Sequence, residues 1–242
     1  MSTPPLSALV ADAASAAHGE TRRTAYSKLA DSVEATKEAS VQFAQDVRCV
    51  DVCLRGLEAG DEAIRVAAAM CVKAAAKRAP AFRVALAKSG GIAPLVQMAE
   101  TGSVEAAMRA AWALANLAVD SAANKTAIRE GRGLAALVNL LRRQRAASPL
   151  AASSLRNYEG EALRERAAQG LDALCQGDAK NQEAVVLAGG AEPLVRLLRD
   201  ERATQMARLR AAFATYRLAT SPANWRVPVP SRIFSRSTRL TD

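Results

Sequence analysis

Apolar residues along this chain recur at three- and four-residue spacings, not in alternation. Over 104–118 the positions Ala107, Ala110, Ala111, Leu114, Leu117 and Ala118 fall on one face of a helix. A polar break follows, then a second helical run that ends at glycine. The stretch RAAWALANLAVDSAANKTAIREGRG (109–133) aligns without a gap on RAAQGLDALCQGDAKNQEAVVLAGG (166–190). Three more segments match one another: GGIAPLVQMAETGS (90–103), RGLAALVNLLRRQ (132–144) and GGAEPLVRLLRDE (189–201). The step from Ile92 to Leu134 is 42 residues, and that from Leu134 to Ala191 is 57. The surplus lies in RRQRAASPLAASSLRNYEG (142–160), which reads as a loop inserted between two helices. Without it the period returns to about 42, a helical-solenoid spacing and too long for tetratricopeptide repeats.

Each repeat divides into three helices. The first is short, at 81–88, 122–130 and 179–187, and ends at a glycine turn where the chain reverses through positive φ. The second begins at Ile92, Leu134 or Ala191. It carries proline in its first turn at Pro94 and Pro193, where the N–H has no helical partner in any case. The third is long, at 62–78, 104–118, 161–176 and 203–219. Weaker copies precede these, with 49–61 as a second helix, 21–35 as a third helix and 6–17 before it.

The expected organisation is therefore a partial, capping repeat at 1–38, then repeats at about 39–78, 79–119, 120–176 (with the insertion 142–160) and 177–219. A truncated repeat and a basic tail, expected to be disordered, occupy 220–242, where Val227-Pro228-Val229-Pro230 stops the helical pattern. One such repeat cannot bury its apolar face alone, so stability is shared along the stack.

Composition agrees with helix-on-helix packing. Half the chain is apolar but only 4 % is aromatic, and sheets recruit aromatic and β-branched residues. No apolar run reaches the roughly 18 residues that would span a bilayer, so membrane insertion is not expected. The N-terminus lacks the basic start of a secretion signal. The expected compartment is the cytoplasm, with the nucleus as the alternative. The net charge is +9, and the last 42 residues hold eight arginines against Glu201 and Asp242. That basic end favours acidic partners.

No catalytic constellation stands out. The one histidine is His18, whereas a general base at neutral pH is usually histidine. No phosphate-binding loop, nucleophile elbow or zinc helix is present, and neither a cofactor nor a metal is expected. Cys49, Cys53, Cys71 and Cys175 sit among apolar neighbours and read as reduced, buried residues. A nucleic-acid-associated role that uses the basic C-terminus is a further alternative, opposed by the lack of interleaved aromatics and of a recognised module.

The glycine turn, the proline-bearing LV-x-LL helix and the AAWALANLA helix together resemble the armadillo repeat over roughly 39–219. The two-helix HEAT repeat is the nearest alternative. The resemblance implies an all-α, right-handed α-solenoid superhelix of stacked three-helix repeats. It also implies a non-catalytic scaffold whose third helices line a concave groove for an extended or disordered protein segment. Trp112 and Asn116, four apart on a third helix, are similar to the tryptophan–asparagine pairs of importin-α, in which the amide holds the peptide backbone and the indoles flank lysine stems. That similarity makes a nuclear-import-type receptor for basic peptides the second reading. The other repeats offer Thr24 and Lys28, Met70 and Ala74, Gln169 and Ala173, and Phe213 and Arg217 at these positions, so one rung of such a ladder is present. The candidate groove residues are Trp112, Asn116, Gln169, Phe213 and Arg217. Arg142, Arg143 and Arg145 precede Ser148-Pro149, which marks Ser148 as a candidate phosphorylation site whose phosphate would pair with those arginines.

Overall fold

The computed structural model describes residues 4–16, 19–143 and 154–220, with backbone alone over 154–159. Among the described residues there are fourteen α-helices and no strand. Two opening helices, α1 (Leu6–Ser15) and α2 (Gly19–Ala35), precede four triplets. These are α3 (Lys37–Gln45), α4 (Cys49–Leu57) and α5 (Glu62–Arg78); α6 (Pro80–Lys88), α7 (Ile92–Thr101) and α8 (Val104–Ala118); α9 (Ala122–Glu130), α10 (Gly133–Arg142) and α11 (Ser154–Cys175); and α12 (Ala179–Leu187), α13 (Ala191–Arg199) and α14 (Gln205–Ala219). The long helices α2, α5, α8, α11 and α14 pack side by side in chain order. Second helices α7, α10 and α13 form another row, and first helices α6, α9 and α12 a third. The molecule is an α-solenoid.

Small side chains allow the long helices to approach. In α8, Ala106, Ala107, Ala110, Ala111, Ala113, Leu114, Leu117 and Ala118 are fully buried. The starts of the long helices are fixed by side-chain caps: Asp61 accepts from Ala63 N–H, Ser103 from Ala106 N–H and Thr204 from Ala207 N–H.

The turn between first and second helices divides its demands between two adjacent residues. Gly90 (φ 89°), Arg132 (φ 65°) and Gly189 (φ 71°) take the left-handed conformation. The next residue is glycine for space: a Cβ on Gly91, Gly133 or Gly190 would lie 2.5–2.6 Å from Leu86, Ile128 or Val185 respectively. The middle turn therefore places an arginine where its two counterparts have glycine.

A second device recurs in the last three triplets. Asn124 donates its amide to Leu117 O (2.9 Å) and Arg83 O (3.1 Å). Asn181, in the same register, donates to Leu174 O (3.0 Å). In the triplet before them the position is Arg83, which donates to Ala76 O (3.1 Å). All three side chains are buried, and each satisfies a carbonyl in the last turn of the preceding long helix that would otherwise lack a partner.

The structure departs from the expected elements at one place. Helix α11 starts at Ser154, inside the segment 142–160 assigned to a loop. Residues 154–160 contain no proline, and the single Gly160 costs only about 1 kcal/mol in a helix interior, so the long helix extends backward. The remainder of that segment from 144 to 153, with Ser148 and Arg145, lies outside the described residues, as do His18 and 221–242.

Candidate functional site

The stripe Glu105–Arg109–Trp112–Asn116 runs along one face of α8 at spacings of four, three and four. Its neighbours occupy it from both sides. From α5, Lys73 Nζ lies 4.2 Å from the centroid of the Trp112 ring; from α11, the Arg166 guanidinium carbon lies 3.7 Å from it. These are cation–π distances. Lys73 is also ion-paired with Glu34 of α2. Arg166 donates to Gln169 Oε1 (2.8 Å) and pairs with Glu165 (3.2 Å). Trp112 and Gln169 are thereby linked through Arg166.

Asn116 is buried and donates its amide to the main-chain carbonyl of Lys73 (2.8 Å). The analogous position on α14 is Arg217, whose Nε bonds Asp172 of α11. Asn116 and Arg217 therefore tie neighbouring long helices together. Phe213 is 44 % exposed on α14 and Tyr216 is 65 % exposed beside it.

Two open depressions lie along the long-helix row. One, of about 300 Å³, is bordered by Thr36, Lys37, Lys73, Lys77, Trp112 and Asn116. The other, of about 540 Å³, lies between α2 and α5, bordered by Lys28, Asp31, Val66, Met70 and Glu105 among others. Near its rim the Arg23 guanidinium, 2.6 Å from Asp61, holds that carboxyl below its ordinary range.

The side chains that crowd Trp112 were not singled out from sequence. Lys73 and Arg166 lie 39 and 54 residues from it, so their contact is a product of stacking. A partial signal existed: Arg166 aligns with Arg109 in the repeat register. The described arginines proposed to meet a phosphate on Ser148 bond main-chain carbonyls, Arg142 to Ala188 O and Gly189 O and Arg143 to Glu100 O.

Among the described residues no group of three or more His, Cys, Asp or Glu side chains could hold a metal ion, and no helix is long and apolar enough to cross a membrane. All four cysteines are unpaired and buried. Burial pushes the Cys49 thiol up to about 11 and the Cys175 thiol up to about 12, so both are protonated near neutral pH.

Comparisons with known proteins place this arrangement beside solved armadillo-type folds. The armadillo/beta-catenin-like repeat matches residues 80–119, the α6–α8 triplet that carries Trp112 and Asn116. A designed armadillo repeat protein is 22 % identical, with a TM-score of 0.73 over 89 % of this chain and 82 % of its own. The armadillo-repeats-only protein ARO from Plasmodium falciparum is 18 % identical, with a TM-score of 0.65 over 84 % and 82 %. A designed armadillo repeat protein in complex with the peptide (KR)4 is 18 % identical, with a TM-score of 0.56 over 89 % of this chain and 100 % of its own. No curated protein matches the sequence significantly. With the matched repeat, the repeating helix triplets and these likenesses in agreement, residues 80–119 match an armadillo repeat and the chain has the fold of an armadillo-type solenoid.

Proposed function

We propose that this chain is a non-catalytic interaction scaffold that holds an extended protein segment along the face of its long helices. The observation that carries the reading is the open depression bordered by both Trp112 and Asn116, in register with the exposed or half-exposed Met70, Gln169 and Phe213 on the neighbouring long helices. An extended segment arrives with unpaired backbone groups and alternating side chains, and such a row supplies pockets and polar contacts for both. The likeness to designed proteins that bind peptides supports the same reading.

Within this reading Trp112, Gln169 and Phe213 are the contact positions, while Asn116 and Arg217 keep the helices that present them in place. The basic-peptide alternative requires lysine stems to lie against the indole, which Lys73 and Arg166 already crowd. The test is fluorescence anisotropy with labelled extended peptides, comparing the wild type with the Trp112→Ala/Gln169→Ala/Phe213→Ala variant. Weaker binding by a variant that melts normally supports the groove. Equal binding by both moves the working surface elsewhere. Tight, salt-sensitive capture of (Lys-Arg)4 would instead restore the import-receptor alternative.

A further inference from the structure

The stripe on α8 has counterparts on the next two long helices. Glu105–Arg109–Trp112–Asn116 corresponds to Ala162–Arg166–Gln169–Ala173 on α11 and Met206–Arg210–Phe213–Arg217 on α14. On α5 the same register reads Ala63–Ala67–Met70–Ala74. Arginine thus occupies one position on each of three consecutive long helices and is absent from the one before. We infer that Arg109, Arg166 and Arg210 form a ladder that selects an acidic segment for the C-terminal half of the groove. The inference rests on the groove reading and names its ligand class.

Three observations support it. Arg166 is oriented before any ligand arrives, because it lies against Trp112 and donates to Gln169. A guanidinium so held, with Glu165 as its present carboxylate partner (3.2 Å), is pre-oriented, so exchanging that partner for a ligand carboxylate costs little entropy. The Nε of Arg210 is buried without a hydrogen-bond partner among the described residues. Arg109 is paired with the exposed Glu105 one turn back (3.4 Å), a weak contact that an incoming carboxylate can replace. Neighbouring helix axes stand about 8–10 Å apart, and an extended chain advances about 3.3 Å per residue. Three rungs, with two gaps between them, therefore span about 16–20 Å, or roughly six residues of ligand.

The experiment uses the full chain and three fluorescein-labelled twelve-residue peptides. One has glutamate at every second position, one replaces those glutamates with phosphoserine, and one replaces them with glutamine. The expected result is that the glutamate peptide binds at low salt, weakens as salt rises, and beats the glutamine peptide at least tenfold. Arg166→Gln and Arg210→Gln are each expected to weaken it roughly fivefold, with Arg166→Lys between wild type and Arg166→Gln. Circular dichroism melting checks that each variant folds, and Arg210→Gln, at a half-buried position on α14, serves if Arg166→Gln does not. If the glutamine peptide binds as well and the arginine variants change nothing, the ladder inference is overturned while the groove reading stands. If no peptide binds and none protects the long helices from hydrogen exchange, both fall. A phosphoserine peptide that binds while the glutamate peptide does not also overturns the inference as stated, and reassigns the ladder to phosphate.

Discussion

The side-chain amide of Asn116 reaches across the seam between α8 and α5 to the main-chain carbonyl of Lys73, 2.8 Å away. An asparagine is a poor interior helix residue, and this bond is the compensating interaction. Asn116→Ala is expected to lower stability by about 1 kcal/mol, read from urea denaturation. Asn116→Asp is expected to cost more, because a carboxylate would face a carbonyl oxygen. No loss in either variant would show that the bond contributes nothing to the seam.

Arg132 holds a left-handed backbone that its counterparts Gly90 and Gly189 adopt. That conformation costs a non-glycine residue about 1–2 kcal/mol, partly offset by the unfolded-state entropy that glycine adds. Arg132→Gly should therefore stabilise the protein by roughly 0.5–1 kcal/mol, a small upward shift in the denaturation midpoint. A downward shift would mean that the Arg132 side chain stabilises more than its backbone costs.

Gly133 and Gly190 face the opposite demand. Their backbones are ordinary, but a Cβ on either would press to 2.5 or 2.6 Å against Ile128 or Val185 and to 3.0 Å against the carbonyl behind. Gly133→Ala should destabilise by about 1–3 kcal/mol, and shortening the neighbour in Gly133→Ala/Ile128→Ala should recover part of that. Additive losses in the double variant would place the cost outside this contact.

Asp46 accepts from Arg48 through its main-chain N–H (2.9 Å), Nε (3.0 Å) and Nη2 (2.8 Å), and Arg48 reaches on to Ser7 O (3.2 Å). The Arg48 guanidinium holds the Asp46 carboxyl below its ordinary value. A carboxyl with a depressed folded-state pKa stabilises fully above its unfolded pKa, and the contribution is lost as pH falls through the folded value. Asp46→Asn should therefore cost roughly 1–2 kcal/mol at neutral pH. The gap to wild type should close on acidification below the ordinary carboxylate range, as followed by melting between neutral and acid pH. A gap that stays constant would rule out ionisation as the cause.

The thiols give a further test. Cys49, Cys53, Cys71 and Cys175 are buried, and desolvation raises all four. A thiol reagent at neutral pH should label the native protein slowly and all four sites promptly in denaturant. Fast labelling of one native cysteine would identify a repeat that opens locally.

How much of this was legible beforehand follows from what a period can encode. The register of α8 was readable because alanine and leucine return at helical spacing, and the reversal between first and second helices was readable from Gly-Gly. The turn containing Arg132 read as equivalent, yet its positive φ falls on arginine, because the two glycines of a Gly-Gly turn serve different purposes. The surroundings of Trp112 were not legible: an indole flanked by Lys73 and Arg166 depends on which helices neighbour α8, and periodicity alone does not say which side chains meet across a seam. The start of α11 is not legible in the sequence, because serine, alanine and arginine suggest a loop but do not prevent a helix.

The buried residues at 83, 124 and 181 have a consequence for how the chain is made. Asn124 needs carbonyls at Leu117 and Arg83, and Asn181 needs one at Leu174. Arg83 likewise needs Ala76 O. Every acceptor precedes its donor in sequence. During synthesis from the N-terminus, each of these latches can close on helices already made, without waiting for residues still to come. Folding units that form in the order of their translation shorten the exposure of incomplete apolar faces. Assembly of this solenoid can thus keep pace with the ribosome one repeat at a time.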